Sequence, residues 1–264
     1  MPNRSPKRAN WSRLSDPPDL FDASGAFETC RVSGGRVLFL EEHLQRLRAS
    51  LQTLGFSLSR ENETRAALAR AARGMKQGSV RIAVRRCGKP RLIVHRRPGI
   101  SYADGLRSTG VVLTTVPTRW PAGDRMPAQA KGSERLSGIL ARLEAPDPVD
   151  LLRLGPDGTL TEGTVSNLFF VKRGILYTPP TWAGVLEGVT RHRVLEAARD
   201  LGIPGQEIPV SRHELFNAEE AFLTNVLMGI LPIRSVDGRR IGTRVPGPVT
   251  RRLTQAILKE RSKG

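Results

Sequence analysis

Acidic residues are in short supply: 25 Asp and Glu stand against 42 Lys and Arg in 264 residues, a formal net charge of +17. Aromatic residues make up only 5%, which leaves little material for stacking nucleic-acid bases. The arginines are spread along the chain and dense only near Arg4, Lys7, Arg8 and Arg13 and in the terminal RRLTQAILKERSKG. A solvated basic surface is expected, and a nucleic-acid partner is not. Two cysteines, Cys30 and Cys87, supply neither a disulfide framework nor a metal cluster, so a reducing compartment, most simply the cytoplasm, is expected. The longest apolar stretch, AFLTNVLMGILPI, is broken by Thr224, Asn225 and Gly229. It falls short of the roughly 20 residues that span a bilayer. MPNRSPKRANWSRLSDPPD has no apolar core of a signal peptide. What remains is ordinary: 39% hydrophobic and 25% charged residues, enough to bury a sizeable core.

Hydrophobic spacing gives an alternation of strands and helices. Residues 1–18 read as a basic disordered arm. FETCRVSGGRVLFL reads as a hairpin about Gly34-Gly35. Leu40, Leu44, Leu47, Leu51 and Leu54 recur every three or four residues, which predicts an amphipathic helix stopped by Gly55. TRAALARAARG predicts a second helix, and SVRIAVRR, RLIVHRR and VVLTTV predict strands. Residues 19–117 thus form an N-terminal mixed α and β part. TRWPAGDRMPAQAK has no periodicity, and residues 118–130 read as a linker. Residues 131–264 open with a helix from about Ser133 to Leu143. Strands VDLLRL, NLFFVKRG and ILYTP follow, then a helix carrying Val194, Leu195, Ala198 and Leu201. Strands EAFLTNV and ILPIRSV and a final helix in PVTRRLTQAILKER complete the chain.

Three features carry chemistry jointly. Lys131 stands at the mouth of a predicted helix, Glu162 stands alone before an apolar strand, and Gly188-Val189-Thr190 opens a helix. An amine able to condense with an aldehyde, an acid that keeps a pyridine nitrogen protonated and amides that accept a phosphate are what pyridoxal phosphate requires. Arg46, on the first helix, is placed to add a charge-assisted contact to the phosphate. Singly, each has a plain alternative: a solvated lysine, an acid beside the Asp157-Gly158 turn, a capping threonine and an exposed arginine. In SVRIAVRR, Arg81 and Arg85 share one face of a strand and Arg86 the other.

In order, FETCRV, EEHLQRL, AKGSERL, DGTLTEGTVSNLFF, LYTPP, GVLEGVTR, EEAFLTNVLMGILPI and PGPVT resemble the fold-type IV pyridoxal-phosphate enzymes. That group holds branched-chain and D-amino-acid aminotransferases and aminodeoxychorismate lyase. The resemblance spans Phe27 to Leu253. It implies an α/β (mixed α+β) fold, an N-terminal α/β sandwich with a C-terminal pseudo-barrel and flanking helices, and a homodimer. It implies pyridoxal 5'-phosphate as cofactor, with Lys131 as the lysine that binds it and Glu162 facing its ring nitrogen. Arg46 and the Val189 and Thr190 amides would hold its phosphate, with Val226 also against the cofactor. The substrate would be a small amine carrying carboxylates, met by Asn225 and by Arg81 or a neighbouring arginine. Thr29 and Leu136 resemble the lyase, in which the threonine assists proton transfer; aminotransferases carry glycine and tyrosine there. Glu134 replaces the lyase's usual asparagine, Gly132-Ser133 is nearer the general pattern, and FDASGA replaces a glycine-rich stretch. The expectations are therefore a lyase making 4-aminobenzoate and pyruvate from 4-amino-4-deoxychorismate; an aminotransferase for branched-chain or D-amino acids; or a basic binding protein that has kept the fold without catalysis.

Overall fold

The computed structural model describes residues 25–55, 57–58, 61–87, 89–99, 105–119, 129–132, 143 and 149–263. The expected basic arm, most of the linker, nearly all of the helix expected from Ser133, and Leu136 within it lie outside these residues.

The N-terminal sheet runs β2-β1-β3-β4, with β1 (Gly25–Ser33), β2 (Arg36–Val37), β3 (Gln77–Cys87) and β4 (Lys89–Pro98). All its pairings are antiparallel. Ala26, Cys30 and Val32 alternate along β1 and point to one core, with Val80 and Ile82 of β3. That face is covered by α1 (Leu40–Thr53) and α2 (Glu61–Ala72). The leucine stripe buries Leu44, Leu47 and Leu51, and α2 adds Leu68 and Ala72. Each such leucine contributes about 1.5–3 kcal/mol relative to exposure.

The C-terminal body has a sheet ordered β11-β10-β9-β12-β13-β14, with β5 also paired to β13. Its strands are β5 (Val111–Leu113), β9 (Asn167–Lys172), β10 (Ile175–Thr178), β11 (Gly205–Glu207), β12 (Glu220–Asn225), β13 (Gly229–Val236) and β14 (Arg239–Arg240). A three-stranded sheet joins β6 (Thr115–Arg119), β7 (Leu152–Leu154) and β8 (Leu160–Gly163). β9 is apolar on both faces because both are covered. Leu168 and Phe170 enter a core shared with β5, β7 and β8, which makes the two sheets barrel-like. Phe169 and Val171 enter a second core under α4 (Val189–Asp200) and α6 (Pro248–Lys263). Short helices α3 (Leu106–Thr109) and α5 (Arg212–Phe216) complete the set. The boundary expected at residue 118 is not where the hydrogen bonding divides. β5 pairs parallel to β13 and β6 parallel to β7, so these two strands pair within the C-terminal sheets. Among the described residues no helix is long and apolar enough to cross a membrane.

Candidate active site

Lys131 is fixed by its backbone before its side chain does anything. Its N–H donates to Ser50 Oγ (3.0 Å) of α1, its carbonyl accepts from Phe27 N (3.1 Å), and Gly132 bridges Ala26. The side chain is 17% exposed, with Nζ 3.6 Å from Glu28 Oε2 and 5.2 Å from the centre of the Phe27 ring. Burial, then the positive charge of Arg46, pushes its pKa down to about 8, against the opposing pull of Glu28. A useful fraction of the amine is therefore neutral near physiological pH.

Glu28 is the site residue that the sequence reading passed over. It shares the buried face of β1 with Ala26, Cys30 and Val32, and an acid in that alternation was the available signal. Its carboxylate accepts from Arg46 Nε and Nη2 (2.7 Å each) and from His43 Nδ1 (2.8 Å). Burial works to raise its pKa, but Arg46 and Lys131 hold it well below the ordinary carboxylate value. Two nitrogens of Arg46, expected to contact a phosphate, are engaged by Glu28. Nη1 donates to Glu187 O (3.0 Å), at the entry to α4.

Segment 186–190 ties the remaining groups together. Leu186 N donates to Glu162 Oε2 (3.0 Å) and Asn167 Nδ2 donates to the same oxygen (2.9 Å). Arg153 Nη2 donates to Oε1 (2.8 Å); neither Arg153 nor Asn167 was singled out from sequence. Burial is the largest influence on Glu162 and raises its pKa to about 7 despite Arg153. The loop following Glu162 is shaped by Asp150, which accepts from Thr164 N (2.8 Å) and Ser166 Oγ.

Helix α4 begins at an extended Gly188 with no side-chain cap. Its first amides lack intrahelical partners and carry the positive end of the helix dipole. Thr190 is 2% exposed, and its Oγ1 has no hydrogen-bond partner among the described residues. An orphaned buried hydroxyl beside uncapped amides is the environment a phosphate satisfies. With the depressed amine of Lys131 and the buried acid Glu162, the residues present fit pyridoxal phosphate.

On the opposite face of β1, Thr29 stands directly across from Arg81 of β3. The Arg81 guanidinium lies 4.3 Å from the centre of the Phe27 ring, the same ring that Lys131 Nζ overlies. Arg85 is across from Gly25 on this face; the side chain of Arg86 lies outside the described residues. Asn225, expected to meet the substrate, closes β12. Its Oδ1 accepts from Leu227 N and Met228 N (2.9 Å each) and its Nδ2 donates to Val165 O (3.2 Å). Its amide therefore shapes the 225–228 turn. Val226 is 8% exposed in that turn.

Solved structures share this architecture. The 4-amino-4-deoxychorismate lyase of Pseudomonas aeruginosa superposes with a TM-score of 0.83 at 30% identity, covering 91% of this chain and 92% of that one. The Escherichia coli branched-chain amino acid aminotransferase gives 0.82 at 28% identity, covering 90% and 85%. Another branched-chain amino acid aminotransferase of this architecture is solved with pyridoxamine 5'-phosphate. A Methanocaldococcus jannaschii protein assigned as a branched-chain-amino-acid aminotransferase is 30% identical over 262 residues, 92% of this chain and 89% of that protein. The amino-transferase class IV family model matches residues 25–236. The chain belongs to that family and is a pyridoxal-phosphate enzyme, with lyase and aminotransferase relatives.

Proposed function

We propose that the chain is a 4-amino-4-deoxychorismate lyase, releasing pyruvate and leaving 4-aminobenzoate. The observation carrying this reading is Thr29: a hydroxyl on the β1 face that also presents Phe27, across the strand pair from Arg81. A transaminase has no carbon leaving group to protonate, whereas a lyase needs a donor there.

When bound, pyridoxal phosphate supplies an electrophilic carbon for the substrate amine and a ring that accepts an electron pair from the carbon bearing nitrogen. The neutral amine of Lys131 would take the proton from the substrate carbon that bears nitrogen. Glu162 holds a proton at the ring nitrogen, and a cation there returns the carboxyl to its ionised form. Val189, Thr190 and Arg46 would hold the phosphate, with Val226 against the cofactor. Thr29 or Lys131 delivers a proton to the departing enolpyruvate carbon, and Arg81 pairs with a substrate carboxylate. Aromatisation drives the release, so positioning and proton movement are what the protein must contribute. A cytoplasmic homodimer accompanies this reading, and sedimentation of the holoenzyme checks its mass.

Aminotransfer is the second reading, favoured by the full-length likeness to the Methanocaldococcus jannaschii protein. Supplying 4-amino-4-deoxychorismate should yield 4-aminobenzoate, with little glutamate formed from 2-oxoglutarate and an amino acid in a parallel assay. Robust transamination without the aromatic product would reverse the assignment.

A further inference from the structure

Three arginines grip the 226–228 turn from behind. Arg261 Nη2 donates to Val226 O (2.9 Å), Arg31 Nη1 to Leu227 O (2.6 Å) and Arg107 Nη2 to Met228 O (3.2 Å). Among the described residues no carboxylate lies within ion-pair distance of any of the three; Glu260, whose charge acts on Arg261, is engaged by Arg193 (3.1 Å). Arg261 is 8% exposed and its Nε has no partner among the described residues. Burial, then Arg31 and Arg107, pushes its pKa down to about 10. Three guanidinium groups with no carboxylate in ion-pair contact among the described residues, held by the turn carbonyls and for Arg31 also by Gln77 Oε1 (3.1 Å), gather positive charge at this point in the fold.

A cavity of about 200 Å³ opens beside them, between β13 and α6. Its lining residues are the donor-bearing Arg107, Arg251 and Gln255, with Thr254 and the apolar Ile230, Pro232 and Pro246. A smaller void reaches from the shared residues Arg107, Ile230 and Thr254 to Arg261. We propose that this cavity is a second binding site, for a small organic oxyanion: a carboxylate or phosphate group on a short apolar body. Its volume is below the roughly 300–1,000 Å³ of pockets for drug-sized ligands, which restricts the occupant to a few carbons. Arg107 and Arg251 supply charge-assisted donors and Gln255 a neutral one. The Thr254 hydroxyl proton is already given to Thr250 O (2.7 Å), so Thr254 contributes only acceptor capacity and surface.

The site is testable separately from the cofactor's phosphate cup. Holoenzyme whose cofactor has been fixed by borohydride is titrated calorimetrically with succinate and with inorganic phosphate, at ionic strength matched by sodium chloride. Saturable binding of either probe is expected, and the stronger probe identifies which oxyanion the site takes. Arg251 is exposed on α6, and Arg251→Gln should weaken binding about tenfold or more with an unchanged melting temperature in probe-free buffer. No saturable binding, an equal response to sodium chloride alone, or unchanged affinity in Arg251→Gln overturns the proposal.

Discussion

Burial lowers the pKa of Lys131, and the charges around it set the degree. Arg46 lowers its pKa and Glu28 raises it, leaving a value of about 8. Capture of pyridoxal phosphate by the apoenzyme should therefore accelerate with pH, with a midpoint near that value. Removing the anion in Glu28→Gln should move that midpoint downward, because only the cationic neighbour then remains. Stopped-flow absorbance across the neutral to alkaline range measures both. Borohydride should fix the cofactor on the Lys131 peptide, and Lys131→Ala should abolish labelling; continued labelling of that variant would displace Lys131 from its role. Thr29→Val should slow 4-aminobenzoate release on the order of 10²-fold, the lower range for loss of a proton donor, while cofactor absorbance stays unchanged. Glu162 has the opposite sign to an ordinary paired acid. Its folded pKa of about 7 lies above the usual 4.5, so the stability it contributes is present at acid pH and lost as pH rises through 7. In the apoenzyme, the melting-temperature difference between wild type and Glu162→Gln should fall from about pH 5 to about pH 7.5. The drift from buried His43, whose pKa is lowered, is common to both proteins and cancels. Bound cofactor should remove the slope.

Elements with a strong period were legible in the sequence, and those defined by pairing were not. The leucine stripe of α1, the strands on either side of Gly174 and the final helix after Pro246 all lie where their spacing puts them. β8 escaped notice because LTEG is four residues long and its partner, β7, is also short. β5 and β6 look local in VVLTTV, yet both pair with strands far along the chain, which no local window contains. α5 was missed although Ser211 and Glu214 form a capping box; five residues are too few to show a period. Lys131, Glu162 and the Val189–Thr190 amides, which we propose hold the cofactor, stood out in the sequence because their chemistry is joint. Glu28, Arg153 and Asn167 were not, since their importance lies in contacts rather than in a motif. The loop between β8 and β9 shows what such contacts enforce. A Cβ on Gly163 would lie 2.3 Å from Asp150 Oδ2 and 2.4 Å from Ser166 Oγ. Gly163→Ala must therefore break the Asp150 cluster, leaving buried polar groups unpaired at about 1–3 kcal/mol. Denaturant unfolding should show that loss, together with weaker cofactor affinity, because Glu162 directly precedes Gly163 at the end of β8. Ser211→Ala, remote from the cofactor residues in sequence, should cost about 1 kcal/mol and leave affinity alone.

Across the molecule, charge balance differs between interior and surface. Buried cations are matched in the candidate site: Arg46 meets Glu28 and Arg153 meets Glu162. The surplus of +17 resides mostly outside such pairs and repels itself. Screening acts on exposed charges, with a Debye length of about 30 Å at roughly 0.01 M salt falling to about 8 Å at roughly 0.15 M. It acts far less on pairs as enclosed as Arg46–Glu28. Raising sodium chloride from about 10 to about 150 mM should therefore stabilise the holoenzyme by relieving repulsion, with little loss from the buried pairs. A relief of about 1 kcal/mol corresponds to roughly 2–4 °C for a chain of this size. Calorimetric melting at constant pH and saturating cofactor decides the matter. A fall in melting temperature with salt would mean that surface pairs such as Arg48–Glu61 and Arg65–Glu41 outweigh the net charge, since only attractive exposed contacts weaken in that direction.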